Sequence, residues 1–219
     1  MRGVILDVDG TLVDSNDAHA HSWVDAFREH GHDVSYDSVR PLIGMGGDRV
    51  LCALASIDAD SRIGEEIVTT RKEIFLSDYL GGVRPFPRVR ELLERMRHEG
   101  LKLAVASSSE DELLEKLLRL TGAANLLQKR PSARQARSTK PAPDLVQAAL
   151  DVLKLSPGEA VMLGDTPYDR DAANGAGVAF VGFRSGGWSD GDLADAIAVY
   201  HDTADLLEHF DSSAFSSAA

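Results

Sequence analysis

Five short apolar runs punctuate the chain: Val4 to Val8, Leu101 to Ala106, Ala160 to Leu163, Val178 to Val181 and Ile197 to Val199. They are of strand length and read as strands of a parallel sheet, Val4 to Val8 as one buried on both faces. Helical periodicity fills most of the gaps. Arg88 to His98 puts Val89, Leu92, Leu93 and Met96 on one stripe, and Glu110 to Leu120 and Asp144 to Leu153 repeat the pattern. Strands alternating with helices predict an α/β fold, a parallel sheet with helices on both faces. Ligands of such a sheet gather beyond the carboxyl ends of its strands.

One stretch breaks the alternation. From Asn16 to about Leu80 the pattern is helical throughout, in Ala18 to His30, Asp48 to Ser56 and Arg62 to Tyr79, with no convincing strand. Gly81-Gly82 and Pro85-Phe86-Pro87 close it, punctuation suited to a hinge. The expected organisation is therefore a core of residues 1–15 and 82–219 with an inserted helical domain at 16–81. The tail, Ser212 to Ala219, is small and polar and reads as frayed.

Composition narrows the function classes. The 219 residues are 43% hydrophobic and 26% charged, enough apolar material for a packed core. Thirty-five acidic residues against 23 Lys and Arg give a net charge of -12, the wrong sign for a nucleic acid or anionic membrane partner. No apolar run approaches the roughly 20 residues of a membrane span, and the N-terminus enters a strand without a leader pattern, so the cytoplasm is the expected location. The single Cys52 lies among Val50, Leu51, Ala53 and Leu54 and reads as a small buried hydrophobe.

The chemistry lies at the strand ends. Asp7 and Asp9 close the first run, and their spacing of two turns them to one side. Ser107, Ser108 and Ser109 follow the second, and Gly164-Asp165-Thr166-Pro167-Tyr168-Asp169 follows the third. Lys140 stands in Lys140-Pro141-Ala142-Pro143-Asp144, just before a helix, in a segment that the proline keeps extended. Each has an ordinary reading alone: a helix cap for the serines, a solvated lysine, a turn for Gly164-Asp165. A parallel sheet would gather all of them at one edge, where buried carboxylates need a cation or a reaction to make them tolerable.

Asp7-Val8-Asp9-Gly10-Thr11, Ser107 after an apolar strand, Lys140, and Gly164-Asp165 with Asp169 resemble, in order, the four motifs of the haloacid dehalogenase-like (HAD) hydrolase superfamily. The resemblance spans nearly the whole chain and is nearest to the phosphoglycolate phosphatase-like branch, with a Rossmann-like core and a small helical cap between the first and second motifs. It implies a magnesium-dependent phosphomonoester hydrolase. Asp7 would be the nucleophile, forming an aspartyl phosphate, and Asp9 the acid and base. Mg2+ would sit between Asp7, the backbone carbonyl of Asp9 and Asp165. Ser107, Lys140 and N-H groups around Gly10 and Ser108 would hold the phosphoryl group, with Asp169 orienting metal waters or Lys140. Asp14 would cap the first cap helix or steer the hinge.

The resemblance also frames the alternatives. The superfamily's dehalogenases lack the second acid, so Asp9 argues for phosphoryl transfer. Sugar-phosphate mutases of the β-phosphoglucomutase kind keep it but need a second anion site. Here Glu110-Asp111 and Gly47 stand where they carry Lys-Asn and a cap Arg, and two carboxylates would repel a second phosphate. A non-catalytic binding protein on the same fold is the third possibility. The cap would choose the substrate, a small phosphorylated metabolite such as phosphoglycolate or a sugar phosphate. His19, His21, Gly46, Gly47 and Arg49 are its candidate specificity residues, each also readable as an ordinary surface or turn residue. A monomer or homodimer is expected.

One stretch departs from the family. From Lys116 to Pro143 there are seven Lys or Arg and no acid, so it carries +7 while the remainder carries -19. The relatives usually place an apolar strand here; after Leu127 none is visible and Pro131 would interrupt one. A solvated basic loop, a positive rim that draws in anions, and a compensated frameshift in the gene all fit. The expectation is an irregular, mobile segment at residues 128 to 138, with Lys140 still reaching Asp7.

Overall fold

The computed structural model describes residues 1–128 and 138–216; nearly all of the segment expected to be irregular, residues 129–137 of 128–138, lies outside the described residues. The elements in chain order are β1 (Gly3–Leu6), β2 (Val13–Asp14), α1 (Asn16–Glu29), α2 (Tyr36–Val39), α3 (Gly47–Ala55), α4 (Arg62–Ile74), β3 (Arg84–Pro85), α5 (Val89–His98), β4 (Lys102–Val105), α6 (Asp111–Leu120), α7 (Asp144–Leu153), β5 (Ala160–Gly164), α8 (Pro167–Gly175), β6 (Ala179–Phe183), β7 (Ala198–Tyr200) and α9 (Thr203–Glu208).

The chain divides into two compact units, Met1–Asp14 with Pro85–Ala219, and Ser15–Arg84. The first holds a five-stranded sheet in the order β4-β1-β5-β6-β7, parallel throughout. Register places Ile5 beside Ala104 on one side and Met162 on the other. Alternation then sorts the side chains. Ile5, Ala104, Met162 and Phe180 pack against Val146, Ala149, Leu153, Ala172 and Ala173 of α7 and α8. Val4, Leu6, Leu103 and Val105 are buried toward the other face, where α5 packs on β4. Because both faces are covered, the strands read as apolar runs, and a carboxylate at a strand end is reached only from the carboxyl edge.

The second unit is helical. Trp23, Phe27, Val39, Ile43, Val50, Leu51, Ile67 and Ile74 form its core, with α1 against α4. Ser61 accepts from the Gly64 N-H and caps α4, which runs on into a π-helical turn at Phe75–Tyr79. Where the chain passes between the units, β2 and β3 pair as a two-stranded ribbon.

Three expectations are corrected. Asp14 does not cap α1: it lies in β2, and the N-cap position belongs to Ser15, whose side chain makes no capping bond. Cys52 is exposed, because on α3 it turns away from the face that buries Val50 and Leu51. Over its described residues, Ser212 to Ser216, the tail does not fray, while 217–219 lie outside them. Phe215 is buried with its ring 6.3 Å from that of Phe210, and the Ser213 hydroxyl closes a turn on the Phe210 carbonyl. Among the described residues no helix is long and apolar enough to cross a membrane.

Candidate active site

The carboxyl ends of β1, β4 and β5 lie side by side, and the chemistry collects there. Asp7 continues β1, its N-H donating to the Leu163 carbonyl of β5 at 2.9 Å, while on the other side the Ala106 N-H reaches Leu6 O at 2.9 Å. The loop that follows is wound tightly: the Val8 carbonyl accepts from the N-H groups of Thr11, Leu12 and Val13. Gly10 turns the chain there at φ +77°, a left-handed conformation that glycine takes without strain. Its N-H is donated to Val13 O at 2.8 Å, which engages it inside the loop.

Lys140 crosses from the start of α7 to this loop and is almost wholly buried. Its ammonium pairs with Asp7 Oδ1 and, at 2.6 Å, with Asp169 Oδ1. The Lys140–Pro141 peptide is cis. Burial alone would lower the ammonium's pKa, but Asp169 and Asp7 outweigh it and hold the lysine above its ordinary value, so its charge is fixed. Asp169 Oδ2 accepts from both the N-H and the hydroxyl of Thr166, at 3.0 and 2.7 Å, a capping box that seats Asp169 in the first turn of α8.

Asp7, Asp165 and Asp169 are all buried, and they offer carboxylate oxygens within 4.8 Å of one another. Burial raises the Asp7 carboxyl well above the ordinary carboxylate range, with Asp169, Asp165 and Asp9 adding to it and Lys140 opposing. One ammonium does not balance this set, and hard oxygen donors at this spacing fit a divalent cation such as magnesium. Asp165 is held by the Thr11 hydroxyl, which donates to its Oδ1 at 2.7 Å and approaches Asp7 Oδ2 at 3.4 Å. A turn at Arg184–Gly186 closes this side. Ser185 Oγ donates to the Gly10 carbonyl at 2.6 Å, and a Cβ on Gly186 would lie 2.3 Å from Asp165 Oδ2.

On the β4 side, Ser107 is buried and its Oγ accepts from the Ser109 N-H at 3.1 Å. The Ser108 Oγ is buried with no hydrogen-bond partner among the described residues. Ser109 Oγ donates to Asp9 Oδ2 at 2.7 Å. These serines do not cap the following helix, since the N-cap of α6 is Glu110 and no side chain caps it.

Asp7, Asp9, Ser107, Lys140, Asp165 and Asp169 thus share one edge of the sheet. The compact carboxylate trio contains Asp169 rather than the Asp9 side chain, which Ser109 holds instead. The cap candidates belong to the helical unit. His19 is buried on α1 with its ring stacked 4.3 Å from Phe75, and His21 lies among Tyr36 and Tyr79. Gly46 is the N-cap of α3, and Gly47, the first residue of the helix, faces Trp23; Arg49 is exposed. Sequence reasoning assigned no role to Thr11, Ser109, Ser185 or Gly186. Thr11 ends Asp7-Val8-Asp9-Gly10-Thr11 and Ser109 ends the serine run at a strand end, so position is a signal for both; Ser185 and Gly186 follow β6 with nothing to mark them.

Residues 4–183 match the family of haloacid dehalogenase-like hydrolases. A phosphoglycolate phosphatase of Aquifex aeolicus is 31% identical, with 81% of this chain and 82% of that one covered. A fructose-1-phosphate phosphatase of Escherichia coli is 25% identical over 83% of this chain and 96% of its own. Among solved structures, a hydrolase from Pseudomonas syringae superposes with a TM-score of 0.89 at 28% identity, covering 97% of this chain and 99% of the other.

Proposed function

The chain belongs to the haloacid dehalogenase-like hydrolases, and from that premise we propose that it is a magnesium-dependent phosphomonoester hydrolase working through an aspartyl phosphate on a small phosphorylated metabolite. Phosphoglycolate and sugar phosphates are the leading substrate classes, in keeping with the relatives' named activities. The observation that carries the reading is the buried Lys140 ammonium shared between Asp7 and Asp169, with Asp165 alongside. Such a set is costly in a fold that does not use it.

In this reading Asp7 is the nucleophile and attacks phosphorus, so one hard displacement becomes two easier ones. Asp9 gives a proton to the departing alkoxide and later takes one from the water that hydrolyses the aspartyl phosphate. Ser107 donates its hydroxyl hydrogen to a phosphoryl oxygen, its own oxygen being occupied as an acceptor from Ser109 N-H. The buried and unpartnered Ser108 hydroxyl is a second donor to the same group. Lys140 sets a permanent charge beside the reacting carboxylate, and Asp169 keeps it there. Magnesium, held by Asp7, Asp165 and the Asp9 carbonyl, would neutralise the carboxylates and the phosphoryl oxygens. The substrate's remainder would be recognised by the helical unit, with His19, Gly46, Gly47 and Arg49 as candidates.

The test is phosphate release from a panel of phosphorylated two- to six-carbon metabolites, with and without magnesium. Hydrolysis of panel members, lost in chelator and restored by magnesium, is the expected result. Asp7→Asn should lose turnover by 10³-fold or more, and Asp9→Asn nearly as much, roughly the scale of nucleophilic and acid–base loss. An Asp7→Asn protein that still turns over rejects the mechanism. Isomerisation of a sugar phosphate without phosphate release points to a mutase, and silence on every substrate to a binding protein.

A further inference from the structure

Ser109 stands 100 positions along the chain from Asp9, yet its Oγ donates to Asp9 Oδ2 at 2.7 Å, and both residues are buried. The ordinary use of a serine before a helix is to cap it, and Ser109 does not do so. Its orientation is fixed from behind, because the Ser109 N-H is donated to Ser107 Oγ at 3.1 Å. One three-residue turn therefore carries both Ser107, the phosphoryl donor of the hydrolase reading, and a hydroxyl at Ser109 that faces a carboxylate.

The terminal torsion of an aspartate is broad and roughly two-fold, so an unrestrained carboxyl group samples many directions. A donor fixed on one oxygen narrows that range. The bond also survives the change of protonation state: a carboxylic acid with its proton on Oδ1 still offers Oδ2 as an acceptor. A hydroxyl is well suited to this task, because it donates to Oδ2 in both halves of the proton cycle.

We propose that Ser109 is a positioning residue for Asp9, holding Oδ2 so that the proton for the leaving group travels on Oδ1 in a fixed direction. The proposal rests on the hydrolase reading above and adds to it a group that acts only through the acid–base step. Loss of Ser109 should then matter in proportion to how much the leaving group needs a proton.

The experiment compares two substrates in the same preparation of enzyme: the best alkyl phosphate from the panel, whose alkoxide needs the proton, and p-nitrophenyl phosphate, whose phenolate departs without it. Ser109→Ala should lower kcat/KM, which reports only the steps up to phosphorylation of Asp7, by about ten- to a hundredfold on the alkyl phosphate, the cost of a misdirected acid. On p-nitrophenyl phosphate the loss in kcat/KM should stay below about threefold, because the water activation that both substrates share comes later. Ser109→Thr, which keeps the donor, should restore most of the alkyl-phosphate turnover. The ratio of the two rates is independent of how much of the variant is folded. Equal loss on both substrates, or no loss on either, overturns the proposal. The hydrolase reading fails separately, on an Asp7→Asn protein that still hydrolyses p-nitrophenyl phosphate.

Discussion

Gly186 leaves no room for a side chain: a methyl group there would lie 2.3 Å from Asp165 Oδ2 and 2.5 Å from its carbonyl oxygen. Gly186→Ala must therefore displace Asp165, which Thr11 holds from the opposite side. The expected outcome is a rise of about ten- to a hundredfold in the magnesium concentration for half-maximal activity, the usual scale for disturbing the support of a metal ligand. A metal titration of activity measures it, and an unchanged midpoint would show that the turn at Arg184–Gly186 does not support Asp165. At this scale the sequence was legible in part. Asp7 and Asp165 declare themselves because charge at the end of an apolar run is costly, and Lys140 only through its place before Pro141 at the start of a helix. Which hydroxyl meets which carboxylate does not follow from spacing. Ser109 meets Asp9 because β4 lies beside β1, and Ser185 meets Gly10 because the turn after β6 reaches past β5 to the loop after β1.

The π-helical turn at the end of α4 carries Tyr79, whose hydroxyl donates to Asp25 Oδ2 on α1 at 2.5 Å. That hydrogen bond, with burial and the Asp25 charge, pushes the phenol up to about 12. The fold thus favours the neutral phenol. Its contribution is complete below the unfolded value, about 10, and is lost as pH rises through 12. The difference between the phenolate absorbance titrations of the wild type and Tyr79→Phe should show one step near pH 12; a difference step at the ordinary tyrosine value would contradict the bond. Elements with periodicity were legible and those without it were not. The apolar stripe of α5 announces the helix, whereas α8, with the sequence PYDRDAANG, buries only Asp169, Ala172 and Ala173 and gives no stripe to find. Tyr79 was read as the end of one long helix, since a widened turn leaves the apolar period almost intact.

Each of the two units has its own apolar cluster, one around the sheet and one around Trp23, Phe27 and Ile67. Phe27→Ala removes a fully buried ring from the second and should cost about 3–5 kcal/mol there. Hydrogen exchange followed by peptide is the measurement: α1 and α4 should lose protection while β1 and β5 keep theirs. Uniform loss across the chain would mean one cooperative core. The β2–β3 ribbon has a consequence for a chain that has not yet folded. The insertion lengthens the loop that β1 must close to meet β4 about fourfold, which adds about 1 kcal/mol of closure entropy. Because the ribbon sets the insertion's two ends side by side, a helical unit formed early closes that loop itself and returns β4 to β1 at short range. The pace at which the sheet nucleates is then governed in part by Trp23, Phe27 and Ile67, residues outside the sheet altogether.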